Sequence, residues 1–313
     1  MPSFSENTTA RKYLERPGQV IIYLGKLFRI CIHEHSWKVL PMAAVVAFIV
    51  ASVCENVFVN MEGTEVGALA FACVCIWNGF FNSIQSICKE RPIIKREHRA
   101  GMHISSYMIA NMIYQAVLCF LQTIIQIYIY RLCGIKYPTY GLITGSFVID
   151  FGITLFLISY SADMLALMVS CIVKSTTVAM TVVPFLLIIQ LIFSGVAFQL
   201  NGVTDQISQA TISRWGIRTI CTVADHNSMP SVTLQAAFNK LTAIPEVKAV
   251  AKYIYTSEVW DIIGNASQES RVSDEYAFTV ENIRNEWLVM GSLSIVFAAV
   301  GTVFLEFIDR DRR

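Results

Sequence analysis

The stretch Cys88 to Tyr107, CKERPIIKREHRAGMHISSY, decides how this chain folds. Lys89, Glu90, Arg91, Lys95, Arg96, Glu97 and Arg99 crowd into it, whereas Val66 to Cys88 before it and Ile104 to Tyr130 after it hold no charged residue. Each apolar run exceeds the about 20 residues that a helix needs to cross the hydrocarbon core of a bilayer. Lys and Arg close to span ends are retained in the cytosol. The segment therefore reads as a short cytoplasmic elbow between two spans, placed to feel a soluble partner.

Composition agrees with that reading. Over 313 residues, 55% are hydrophobic, 15% are charged and the mean hydropathy is +0.54, which is too apolar for a soluble domain. The expected class is an all-α integral membrane protein. A net charge of +1 and the lack of a basic run interleaved with aromatics exclude a nucleic-acid groove. Most of the nine cysteines sit inside apolar runs and are expected to pack as small hydrophobes. Cys133 and Cys221 fall outside the membrane, where a disulfide is allowed, although no spacing pattern supports one.

Working outward, Met1 to Gly18 reads as a polar lead-in without a cleavable signal. Gln19 to His35 spaces Val20, Leu24, Leu27, Phe28 and Cys31 as one helical face among Lys26, Arg29 and His33. That pattern predicts an amphipathic helix lying in the membrane interface, or one packing on a partner. Spans follow at Trp37 to Phe58, Val66 to Cys88, Ser105 to Leu132, Gly141 to Val173, a fifth ending near Phe198, and Trp287 to Phe307. Gln199 to Glu286 is mixed polar and is expected to form an extracytoplasmic domain of short helices, with a sequon at Asn265 to Ser267. Counting Lys38 at the inner mouth of the first span, fifteen Lys and Arg fall on the inner side against two, Arg131 and Lys136, in the short outer loops, which places both termini inside. The domain division is 1–36 for the lead-in and connecting helix, 37–198 for five spans with the loop 88–107, 199–286 outside, and 287–313 for the sixth span and tail.

Glu90, Arg91, Lys95, Arg96 and Glu97, followed by Gly101 and by Ser105, Ser106 and Tyr107, resemble the first cytoplasmic loop of the membrane domain of G-type ABC exporters, of the ABC-2 permease family. Tyr160-Ser161-Ala162 with Met164, Ala166 and Leu167 resembles that family's fourth span, and Ile192-Phe193-Ser194-Gly195 the end of its fifth. The resemblance runs from about Gln19 to Arg313. It implies a permease subunit that moves an amphiphilic or lipid-like substrate out of the cytoplasm by alternating access, in a bacterial plasma membrane, as a homo- or heterodimer. ATP and Mg would be bound by a partner ATPase. No G-x-x-x-x-G-K-[ST] phosphate loop occurs in this sequence, so the ATPase is expected on a separate subunit or on a domain removed from upstream.

The same resemblance makes the elbow a coupling helix, fixed by ion pairs of Glu90 with Arg91 and Arg96 with Glu97; on charge alone it is a solvated loop that sets topology. It carries a substrate pathway onto Phe71, Val74, Cys75 and Asn78 of the second span and Ile188 and Leu191 of the fifth, and a gate onto Val196 and Ala197. Asn78, Asn82 and Gln85 are otherwise amides that glue helices together. Asp150 and Asp163 lie in an apolar run, where an unpaired charge costs at least about 2.5 kcal/mol. Their separation is about 20 Å along a helix. Either each is satisfied inside the protein, or they serve an ATP-independent channel or ion-coupled carrier, the alternative function. His33, His35, His98 and His103 show no metal-ligand spacing.

Overall fold

The computed structural model describes residues 15–54, 56–196, 198, 200–231 and 273–307, within which all regular structure is helical. Seven helices come first: α1 (Arg16–His33), α2 (Val39–Val53), α3 (Met61–Ser83), α4 (Ser86–Arg99), α5 (Ile104–Leu132), α6 (Phe147–Ile172) and α7 (Thr176–Ile192). Two short ones, α8 (Val203–Ser208) and α9 (Ile212–Val223), lie ahead of α10 (Val280–Glu306). Five segments are long and apolar enough to cross a membrane, namely Ser36–Val53, Met61–Arg99, Ile104–Leu132, Phe147–Ile172 and Val280–Glu306. The apolar helix α7 is shorter, at 17 residues.

The long helices run in alternating directions, so the bundle has one end at α4 and the other at α9. Its centre is the packing of α6 against α3 and α10. Small residues set that packing. A Cβ on Gly79 of α3 would lie 2.4 Å from the Ser159 carbonyl oxygen, and one on Gly301 of α10 would lie 3.1 Å from Met168 Cα. Lipid tails are as apolar as the side chains, so helices gain from close backbone approach rather than from hiding apolar surface. Polar groups then add directional contacts: Ser161 Oγ donates to the Met290 carbonyl at 3.0 Å and lies 2.8 Å from Ser294 Oγ. On α2 the buried stripe is Ala43, Ala47 and Ala51 while Met42, Val45, Phe48 and Ile49 face outward, the pattern of a helix with lipid on one side.

Helix boundaries correct several expected ones. α2 stops at Val53 instead of Phe58, because Phe58 turns into the core with φ 62° and meets Phe71, Phe147 and Phe151. α6 begins at Phe147 because residues before it form a turn closed on Asp150. α7 ends at Ile192, six residues short of Phe198, and Gly195 takes φ 84° just beyond it. α10 begins at Val280, seven residues ahead of Trp287, capped by the Thr279 hydroxyl accepting from Asn282 N at 3.3 Å.

The described part of the segment between α7 and α10 does not stand apart from the bundle. Ile212, Ile217 and Ile220 of α9 are buried in the main core, with α9 packed on α3, α6 and α10. A Cβ on Gly216 would meet the Ile158 side chain at 2.8 Å, so glycine is what allows this approach. The sequon Asn265 to Ser267 lies outside the described residues, as do Met1 to Leu14, Ala197 and the charged tail from Ile308.

Candidate functional site

The charged elbow folds as α4, a stiff helix whose Ile87 and Ile94 point into the bundle and whose charged residues lie around the remaining faces. Its start and the end of α6 cap one another. Ser170 of α6 accepts from the Ile87 and Cys88 amides at 3.1 and 3.2 Å, two of the first-turn donors that a helix cannot satisfy itself. In return, Arg91 donates to the Cys171 and Val173 carbonyls at 2.9 and 3.0 Å, placing a cation on the negative end of the α6 dipole. The end of α4 is equally defined. Met102 N donates to Glu97 O and Gly101 N to His98 O, both at 3.0 Å, with Gly101 at φ 106°. This is the left-handed helix stop that glycine adopts without strain.

Two carboxylates of α4 turn towards α1. Lys26 Nζ donates to Glu97 at 3.3 Å and lies 3.7 Å from Glu90, and Tyr107 of α5 donates to Glu90 at 3.1 Å. Lys26 of α1 thus gathers both carboxylates, a cross-helix arrangement that neighbouring residues in the sequence did not suggest. α1 is also stitched to the turn after α4, with Gln19 Oε1 accepting from His103 N at 2.9 Å. Burial, with help from Glu97, pushes the Tyr23 hydroxyl on α1 up to about 12. Lys95 is half-buried and Arg96 exposed.

Asp150 and Asp163 are both fully buried and are held separately. Asp150 accepts from the Ile143 and Thr144 amides at 3.0 and 3.1 Å and from the Thr144 hydroxyl at 2.8 Å, which closes the turn before α6. Asp163 sits between three helices, accepting from Ser83 Oγ of α3 and from Cys119 Sγ of α5 at 3.8 Å. Nearby, Asn82 and Gln122 bond one another reciprocally at 2.9 and 3.0 Å, an amide clasp between α3 and α5. Among the described residues no cluster of His, Cys, Asp and Glu is arranged to hold a metal ion.

The residues expected along a pathway divide into two groups that this chain does not bring together. Phe71, Val74, Cys75 and Asn78 are buried inside the bundle, Phe71 stacking on Tyr130 with centroids 4.3 Å apart. Ile188 and Leu191 lie on the outer face of α7. The exposed side of α3 is Trp77 and Phe81, whose rings lie 4.7 Å apart. Val196 is half-buried against the core, and Ala197 lies outside the described residues.

A second polar assembly occupies the α9 end. Arg214 bonds Asp205 and Glu275, the latter at 3.1 Å, and Arg218 bonds Glu286 at 2.8 Å. Gln190 of α7 takes both the amide and the hydroxyl of Ser213. Asp205, Arg214, Arg218 and Glu275 line a cavity of about 330 Å³ together with Ser194 and Tyr276. The signal for it was present in the sequence as two arginines four residues apart on a helix whose opposite face is Ile212, Gly216 and Ile220.

Residues 35–219 match the family model of the ABC-2 type transporter. Over 157 residues the chain is 29% identical to an ABC transporter ATP-binding/permease protein of Mycobacterium tuberculosis, a match that covers 48% of this chain and 18% of that relative. The matched family segment takes in α2 to α7 with the reciprocal caps of α4 and α6, and the chain belongs to the ABC-2 type transporter family.

Proposed function

We propose that this chain is the transport subunit of an ATP-driven exporter in a bacterial plasma membrane, with six spans, α2, α3, α5, α6, α7 and α10. At 17 residues α7 is at the short end of what spans a bilayer, about 17 to 25. Both termini and α4 lie on the cytoplasmic side in this arrangement, and α9 lies on the outer side. Two such subunits pack around a pathway faced by Ile188 and Leu191 and closed near Val196 and Ala197. Phe71, Val74 and Cys75 are assigned to the bundle core instead. Asn78, though buried beside them, is kept as a pathway residue on the strength of its unpartnered Nδ2.

The observation that carries the reading is the reciprocal capping of α4 and α6 together with the clasp of Glu90 and Glu97 on Lys26. Pushing α4 moves α1 and α6 with it. An ATPase with Mg and ATP, bound at Glu90, Arg91, Lys95, Arg96 and Glu97, would use this link to switch the spans between inward-open and outward-open. That requires ATP to have different affinity for the two states. The cargo is proposed as an amphiphile. The ion-coupled carrier draws less support, since the carboxylates of Asp150 and Asp163 each accept hydrogen bonds within the bundle. Purification of the native complex in mild detergent with mass spectrometry tests the reading. A stoichiometric ATPase carrying a phosphate loop is expected; a folded chain with none would favour the carrier and make Asp163→Asn the next variant.

A further inference from the structure

A cavity of about 240 Å³ opens between α1, α2 and the junction of α3 with α4. Its walls differ in kind. Leu27, Val39, Phe81 and Leu118 make one side apolar, while Asn82, Ser86 and Asn111 line its depth. Glu34 and Lys89, each about half exposed, form the lip, and Glu90 lines the wall beside them. Phe81 belongs both to this cavity and to the outward-facing side of α3, so the apolar wall continues onto the exposed apolar side of that helix. Behind the polar wall, Gln115 donates to Asn82 O and Ser86 Oγ at 3.5 Å while its own carbonyl oxygen is buried without a partner.

We propose that this cavity binds the head of a zwitterionic membrane lipid, with its acyl chains leaving along Phe81. The lip carries both signs within one opening, which suits a head that brings a cation and an anion together. An ammonium group meets Glu34 and a phosphate meets Lys89, while Glu90 stays with Lys26 and Tyr107. The existing Glu34 to Lys89 pair is about half exposed on both sides, so water screens it and a ligand can open it at little cost. A purely anionic head can pair with Lys89 but leaves Glu34 beside it without a cation, and is disfavoured. The bound lipid would wedge α1 against α4, the two elements joined by Lys26. This site rests on the reading of α1 and α4 as lying at the cytoplasmic membrane surface.

Native mass spectrometry of the full chain, purified with equal amounts of phosphatidylethanolamine and phosphatidylglycerol, tests the site without ATP or an ATPase. Failure of the transport reading therefore leaves this measurement intact. The wild type is expected to retain phosphatidylethanolamine in several-fold excess. Glu34→Lys, at a half-exposed position, is expected to invert that preference, and Val39→Trp, which fills the cavity, to remove it. Equal retention of both lipids by the wild type, or a preference that neither variant moves, overturns the proposal and leaves lipid bound around the bundle only.

Discussion

The two ends of the bundle are held by different physics. At the α9 end, Phe58, Phe71, Tyr130, Phe147 and Phe151 pack ring on ring, and Glu286, 1% exposed, is matched to Arg218. At the α4 end the contacts are helix caps and ion pairs that keep some water, Lys26 being 29% exposed and its partners 15% and 27%. A close-packed aromatic core resists continuous deformation. Ion pairs that keep contact with water contribute little each and are screened by salt. Although Arg214 at the α9 end also pairs with the partly exposed Asp205 and Glu275, the aromatic core beneath makes that end a fixed anchor, while the α4 end can exchange partners without unfolding.

That contrast predicts a graded series of effects. Arg218→Ala strands the buried Glu286 carboxylate and is expected to cost about 3 to 5 kcal/mol, read as loss of thermal stability in detergent. Next comes Gly101→Val, which forces a branched residue into φ 106° and should cost about 1 to 3 kcal/mol. Lys26→Ala should cost less than about 1 kcal/mol, and its effect should shrink further in high salt; a loss equal to that of Arg218→Ala would erase the distinction between the ends. Smallest is the pH response of α1. Because the folded Tyr23 hydroxyl sits near 12 rather than 10, its contribution is complete below pH 10 and is lost as pH rises through 12. Hydrogen exchange of α1 should quicken across that window, and Tyr23→Phe should flatten the response.

Much of this architecture was legible because charge and length are unambiguous in an apolar chain. The charged run at Cys88 to Tyr107 located α4, although its stop at Gly101 emerged only from the structure. What could not be read was the facing of the spans. α3 is apolar around its whole circumference, so nothing in its periodicity says that Phe71 points inward and Trp77 outward. The close approach at Gly79 was the available clue, since small residues mark helix contacts in membranes. The partners of Glu90 and Glu97 escaped for another reason: Lys26 lies more than 60 residues away in sequence, and only the packing of α1 on α5 brings it near. Likewise, polar flanks hid the apolar face of α9, and with it the role of that helix in the core.

The central claim is that α4 transmits motion to the spans through Arg91. The most direct test is the thiol labelling rate of Ile188→Cys on the exposed face of α7, measured in the assembled complex with and without trapped ATP. Labelling is expected to change with ATP in the wild type and to stop changing in the Arg91→Ala background, while the complex stays assembled and still hydrolyses ATP. A change that persists at full size without Arg91 would contradict the central claim.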